Sequence, residues 1–487
     1  MSGKVLLIVH DLYQDWNCFP LGMAYLASVL NREGVDIEVY CQDVFHYPNS
    51  HLASLLQSDN FDIIGLGFLS ARFKETIEPM CEVINQHKKN AWLVLGGHGP
   101  SPIPEYMLRT TKADVVAIGE AEETIIDLVN CKINEGSLAN VEGITYRNGE
   151  QVYINTRRRR IMDLNSIPFP AWEFFPMKEY VTSSLWVGQG QKQRSLDMIT
   201  TRGCTNRCSF CYRMEKGIRA RKMASIIEEM KILMSTYDVN YFHIGDELTF
   251  FNKKRVFEFE EALMKNGLNI KYYCDIRANL IDSDIAESLI RSGCQLANIG
   301  FESLDQVVLD GMHKDTKVED NIRAANICNE AGIVMGLNVM WANPYDSEES
   351  LWKIVDFLKK YNTYGQIRTI RPVTPYPGCP LYYDAIKKGL LKGPGDFFEK
   401  FRNSDLITVN FTNLPTNECH RLLFSANKEL ILDHFKKTKR DMKEAKNLID
   451  DFYGLYFEND YKFRGARRYS RKPEDTKESG YSGQDGQ

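Results

Sequence analysis

Short apolar runs alternate with amphipathic stretches twice along this chain, and that rhythm leaves few folds open. In the first block, KVLLIV at residues 4–9 reads as a strand. PLGMAYLASVLNREG then reads as a helix, with Pro20 near its first turn and Gly34 at its end. VDIEVY, DIIGLGFLS, AWLVLGGHGP and ADVVAIG follow as strands, separated by the helical patterns LASLLQS and KETIEPMCEVINQHKK and closed by EETIIDLVN. The alternation predicts a doubly wound parallel α/β sheet over residues 1–135. Such sheets bind ligands at the carboxyl ends of their strands. Those ends are FLSAR, GGHGP and IGEAEET, so Ser70, Gly96, Gly97, His98, Gly119 and Glu120 are candidate binding residues. The paired glycines admit close approach of a ligand to backbone, and they serve equally well as tight turns.

Residues 136–190 break the rhythm. VEGITYRNGEQVYINTRRRRIMDL reads as a hairpin around Asn-Gly, and IPFPAWEFFP as irregular chain, so the segment is expected to be a connector. Arg157 to Arg160 read as a solvated strand edge, with contact to a phosphate or an acidic substrate as the alternative. Alternation resumes over 191–385 with LDMITT, YFHIGDE, NIKYYCDIR, LANIGFES, VMGLNVMWANP and IRTIRPVTPYP. Strand–helix repeats of this kind predict a partial (β/α)6 barrel of TIM type, whose chemistry gathers at the strands' carboxyl ends. Residues 386–465 read as helical, and 466–487 lack the apolar residues needed to fold.

With 487 residues the chain needs two or three cores. Its net charge of -5 provides no general attraction for nucleic acid or an anionic membrane. No apolar run approaches the ~20 residues that span a bilayer, and the first residues lack a secretory cleavage pattern. The expected compartment is the cytoplasm. In that reducing setting most of the 12 cysteines read as small buried hydrophobes. RGCTNRCSFCYR differs, because Cys204, Cys208 and Cys211 crowd one short stretch just after the first barrel strand. A structural zinc site requires four ligands, and the next cysteine, Cys274, lies inside a strand pattern. A cubane iron–sulfur cluster held by three thiolates keeps one iron open for a reactant.

Cys-x3-Cys-x2-Cys, with Phe210 before the last cysteine, resembles the signature of the radical S-adenosylmethionine (SAM) superfamily. The resemblance implies a 4Fe-4S cluster on Cys204, Cys208 and Cys211, and SAM chelated to the open iron. Reductive cleavage would then yield a 5′-deoxyadenosyl radical. It carries Gly245, Asp246 and Glu247 of HIGDEL to the methionine amino group, Arg277 to its carboxylate and Glu302 of IGFES to the ribose. Asn338 of GLNVMWANP is carried to the strand ends lining the adenine. Taken singly, Arg277 and Glu302 read equally well as a structural ion pair.

The first block, with PLGMAYLASVL, IIGLGFLS, LVLGGHGPS and VVAIGEAEETI in order, resembles the Rossmann-like cobalamin-binding domain of cobalamin-dependent radical SAM enzymes. The resemblance implies a class B-like methyltransferase that methylates an unactivated carbon of a small molecule or peptide through methylcobalamin. A reductase such as flavodoxin or ferredoxin would supply electrons. Cyclisation or oxidation without methyl transfer, and a corrinoid or iron–sulfur carrier, are the alternatives. One departure stands out. Asp-x-His-x-x-Gly, whose histidine ligates cobalt, is missing, since Asp43 and His46 have the wrong spacing. An apolar strand-end residue is expected beneath the cobalt instead.

Overall fold

The computed structural model describes residues 3–11, 18–70, 73–182 and 194–461. The 466–487 tail therefore lies outside the described residues. Contacts divide the chain into two units. The first comprises residues 1–301, 312–338 and 375–400, and the second 302–311, 339–374 and 401 onward.

The first unit opens with five parallel strands, β1 (Lys4–Val9), β2 (Asp36–Cys41), β3 (Ile63–Gly67), β4 (Trp92–Gly96) and β5 (Val115–Ala117), in the order β2-β1-β3-β4-β5. Leu6, Leu7, Ile63, Ile64, Leu93 and Leu95 are fully buried, as near-continuous apolar strands covered on both faces must be. The doubly wound expectation is met. Two details differ from it. The stretch between GGHGP and ADVVAIG, unassigned from the sequence, forms a helix at Pro104–Thr111, and Pro104 starts it where a missing N–H costs nothing. The Asn-Gly hairpin, β6 (Ile144–Asn148) and β7 (Gln151–Ile154), forms, but β6 pairs antiparallel with β5 and extends this sheet. The edge of β5 would otherwise be unpaired backbone.

The barrel strands are β8 (Ser195–Met198), β11 (Tyr241–Ile244), β12 (Lys271–Ile276), β13 (Cys294–Glu302), β14 (Val334–Trp341) and β15 (Arg371–Pro372), side by side in chain order. Between β8 and β11 the chain inserts an antiparallel ribbon, β9 (Thr201–Cys204) and β10 (Gly217–Ala220). LDMITT, expected to be one strand, is thus divided. The N–H groups of Thr200 and Thr201 go to the Asp246 carboxylate at 2.7 and 2.9 Å, so the chain leaves the sheet there.

In the second unit, Met340 and Trp341 of β14 pair with Arg371 and Pro372. Helices at Glu348–Tyr361, Thr416–Thr438 and Met442–Phe457 pack around them. Asn427 closes this core: its side chain accepts from Ile370 N at 2.7 Å and donates to Ile370 O at 3.1 Å.

Candidate cluster and corrin site

The three cysteines lie at and beyond the end of β9, on the loop that returns through β10. Cys208 is buried, Cys204 half-buried and Cys211 exposed. The loop is pinned from both sides. Ser209 N–H donates to Met312 O at 2.9 Å, and Leu381 N–H donates to Ser209 O at 2.8 Å. Asn206 donates to the Cys204 thiol at 3.4 Å, and Arg213 to Asn206 O at 2.9 Å. Among the described residues no three His, Cys, Asp or Glu side chains converge on a single ion. Thiolates that each bind a different iron of a cubane have no need to converge, so this donor set suits a cluster.

The expected SAM residues separate in role. Gly245 and Glu247 are exposed at the end of β11. Asp246 is buried, and Thr200 and Thr201 occupy its oxygens, so it braces the break between β8 and β9 rather than meeting a ligand. Burial pushes its carboxyl up, against the pull of those donors. Arg277 is likewise committed. Its guanidinium donates to the carbonyls of Lys314 and Asp315 and to Thr316 Oγ1 at 2.8 Å, closing the turn before the next helix. Glu302, in the second unit, ends β13 buried at φ +60°, a left-handed conformation that a non-glycine residue adopts at a cost. Asn338 donates to Asn298 at 2.7 Å.

The sheet's strand-end loops come next. Gly97 has φ +92°, and a Cβ there would lie 3.2 Å from Phe68 O, so the turn after β4 needs glycine. This turn holds the loop after β3 through Phe68 N to Gly96 O at 3.2 Å and Gly99 N to Phe68 O at 2.9 Å. Leu69, between them, is 62% exposed, and Ser70 is buried. Gly119 and Glu120 do not face open space. A Cβ on Gly119 would lie 2.8 Å from Glu215, on the cysteine loop. The Glu120 carboxylate accepts from Arg202 at 3.1 Å and Arg219 at 2.7 Å. Arg202 also reaches Glu122 at 2.6 Å and lies over the Tyr25 ring. Arg202 and Arg219 are register partners on β9 and β10, so like charges sit side by side, and Glu120 between them, with Glu122, neutralises them. Burial opposes ionisation of Glu120, but the two arginines outweigh it and hold the carboxyl below its usual range. Glu120 is therefore a latch between the sheet and the cysteine ribbon.

The basic run is corrected in part. Arg157 and Arg159 are exposed, as expected, but Arg157 also pairs with Glu215 at 2.8 Å and half-buried Arg158 with Asp127, so the run stitches the hairpin to its neighbours as well. Sequence reasoning missed the whole latch, because residues 120, 202 and 219 show no spacing signal.

The two sets of loops face each other. His98 Nε2 lies 3.9 Å from Glu247 Oε1, and its ring meets Tyr212, next to Cys211, edge-on at 6.0 Å. Gly378 has φ +94°, and a Cβ there would strike Pro102 and Tyr212 at 2.5 Å, so three segments touch at this point. His46, far from cobalt spacing in sequence, is bonded to Asp11 at 2.7 Å. Exposed Leu69 fits the apolar residue expected on a strand-end loop. The glycine turns and this leucine suit a flat corrin.

Comparison with known proteins agrees with the geometry. Residues 7–129 match the B12 binding domain family and residues 198–358 the radical SAM superfamily. The chain is 27% identical to the uncharacterized methyltransferase PH0819 of Pyrococcus horikoshii over 76% of this chain and 79% of that one. It is 25% identical to the anaerobic magnesium-protoporphyrin IX monomethyl ester cyclase of Cereibacter sphaeroides, over 75% of this chain and 60% of that one. The fold resembles the radical SAM methyltransferase TsrM from Kitasatospora setae, with TM-score 0.64 and 17% identity, covering 79% of this chain and 76% of that one. Among the described residues no helix is long and apolar enough to cross a membrane. A B12-binding sheet latched to a radical SAM barrel makes this chain a cobalamin-dependent radical SAM enzyme, with a 4Fe-4S cluster, SAM and cobalamin as its cofactors.

Proposed function

We propose that the enzyme methylates an unactivated carbon of a small molecule or peptide. The approach of His98 to Glu247 carries this reading, because it sets the loops of the B12-binding sheet against those of the barrel within one unit. When bound, the cofactors supply a hydrogen-abstracting 5′-deoxyadenosyl radical and a methyl group. The chain's task is orientation, since reacting atoms must be held near contact. Cys204, Cys208 and Cys211 hold the cluster on a loop that Met312 and Leu381 anchor. Gly245 and Glu247 take the amino end of SAM. Gly96, Gly97, His98 and Ser70 border the corrin, and Leu69 covers the cobalt face that lacks a histidine. Glu120 keeps the two halves in register.

One turnover consumes two SAM and two electrons from an external flavodoxin- or ferredoxin-type reductase. It releases one S-adenosylhomocysteine, one methionine and one 5′-deoxyadenosine per methylated product. The test is anaerobic reconstitution with iron, sulfide and cobalamin, followed by mass spectrometry of extracts incubated with SAM. A substrate that gains one methylene in step with S-adenosylhomocysteine supports the proposal. A product made without S-adenosylhomocysteine favours cyclisation, the activity in the name of the Cereibacter sphaeroides relative. Alanine at any of the three cysteines should abolish 5′-deoxyadenosine formation.

A further inference from the structure

The interior of a closed strand–helix barrel is filled by branched apolar side chains. Here one interior row is polar. On β12, Tyr272, Cys274 and Ile276 are fully buried on one face, and Tyr273 and Asp275 alternate onto the other. In register, Asp197 lies opposite His243, His243 opposite Tyr273, and Asp275 opposite Asn298. The side chains join across the strands. His243 Nδ1 bonds Asp197, and the His243 and Tyr273 rings lie 4.5 Å apart. Tyr273 OH donates to Asp275 Oδ1 at 3.3 Å, Asn298 donates to the same oxygen at 2.6 Å, and Asn338 donates to Asn298 at 2.7 Å. Gly336 makes room for this row, since a Cβ there would lie 2.1 Å from Asn298 Oδ1.

Three features give the row a chemical preference. Donation runs one way, from Asn338 to Asn298 to Asp275, and ends on a carboxylate. Asp275 Oδ2 and Asn338 Oδ1 receive no hydrogen bond among the described residues, so the row offers two unfilled acceptors, one of them a carboxylate oxygen. Arg277, which directly follows β12, is committed to residues 314–316. The row also lies two residues before Gly245 and Arg277 on its strands, one layer beneath the strand ends that serve SAM.

We propose that Asp197, His243, Tyr273, Asp275, Asn298 and Asn338 form the binding floor for the polar end of the substrate, and that this end is a hydrogen-bond-donating cation such as an alkylammonium group. The assignment rests on the methylation reading above and names its substrate class. Burial pushes Asp275 up to about 7, so a bound cation would also restore its ionised form.

The test uses reconstituted holoenzyme saturated with SAM, so that the upper layer is filled. Ligand-observed NMR measures binding of n-butylammonium, n-butanol and n-butyrate. Butylammonium should bind about tenfold more tightly than the other two, and Asp275→Asn or Asn338→Ala should each weaken it about fivefold. Equal binding of butyrate and butylammonium overturns the assignment, as does unchanged butylammonium binding in the variants. Circular dichroism checks folding. If Asp275→Asn does not fold, exposed Asn338 decides the matter alone. Intact SAM cleavage in the parent enzyme without butylammonium binding sinks this inference only. Absent cleavage with a full cluster sinks the methylation reading itself.

Discussion

Replacing Glu120 by glutamine tests the latch on which the site's assembly depends. Glu120 is 9% exposed at its side chain, Arg202 17% and Arg219 4%, so the cluster is dry. The two guanidinium groups are cross-strand partners, and the carboxylate removes their mutual repulsion. After the substitution Arg202 still has Glu122 at 2.6 Å. Arg219 keeps Ile161 O, a neutral acceptor, and its charge is left without a counterion. Breaking a buried pair by removing one partner costs about 3–5 kcal/mol. The amide retains one acceptor oxygen, so about 2–3 kcal/mol is expected here, some 30- to 150-fold in the equilibrium. Urea unfolding of the apoprotein, followed by fluorescence, reads this directly. Glu123→Gln is the control: Glu123 is 57% exposed and meets Arg158 at 3.5 Å, so its loss should cost under about 0.5 kcal/mol. A Glu120→Gln midpoint equal to that of the control would refute the argument. So would a loss that 1 M salt abolishes, because a buried pair is weakly screened. The lowered carboxyl pKa sets the sign with pH. The latch's contribution is full above the ordinary glutamate range, and it falls away as pH drops through the depressed value.

Two further outcomes are expected. Asp43 is buried under Tyr180, whose hydroxyl donates to both its oxygens, and burial, with Asp11 nearby, pushes its pKa up to about 7. A raised carboxyl stabilises fully below its unfolded value and loses that advantage as pH rises to 7. Asp43→Asn should therefore flatten the decline in thermal midpoint between about pH 4 and 7, and an unchanged pH slope would contradict this. Leu69→His should place a nitrogen beneath the cobalt. Electron paramagnetic resonance of the cob(II)alamin form should then gain nitrogen superhyperfine splitting that the parent lacks, and a spectrum identical to the parent's would remove Leu69 from that face.

Much of this protein is a matter of periodicity. The strands and main helices of both blocks were legible because apolar spacing and turn residues act locally. The three cysteines were legible because cluster ligands share one short loop. The hairpin was visible, but its pairing with β5 was not, since an edge strand's need for a partner belongs to the whole sheet.

Long-range polar pairing was decided by tertiary structure alone. Asp246 and Arg277 carry motif positions, yet one braces the break after β8 and the other closes the turn at 314–316. Glu120 stood at a ligand-binding strand end, yet it pairs with two arginines about 80 and 100 residues away in sequence. Asp197, His243, Asp275 and Asn298 looked like unrelated polar residues in apolar strands until strand register set them side by side. Local sequence specifies which residues form strands and which face they share. Which buried charge finds which partner is settled only when distant segments pack, because desolvation forces each to pair with whatever the fold brings near.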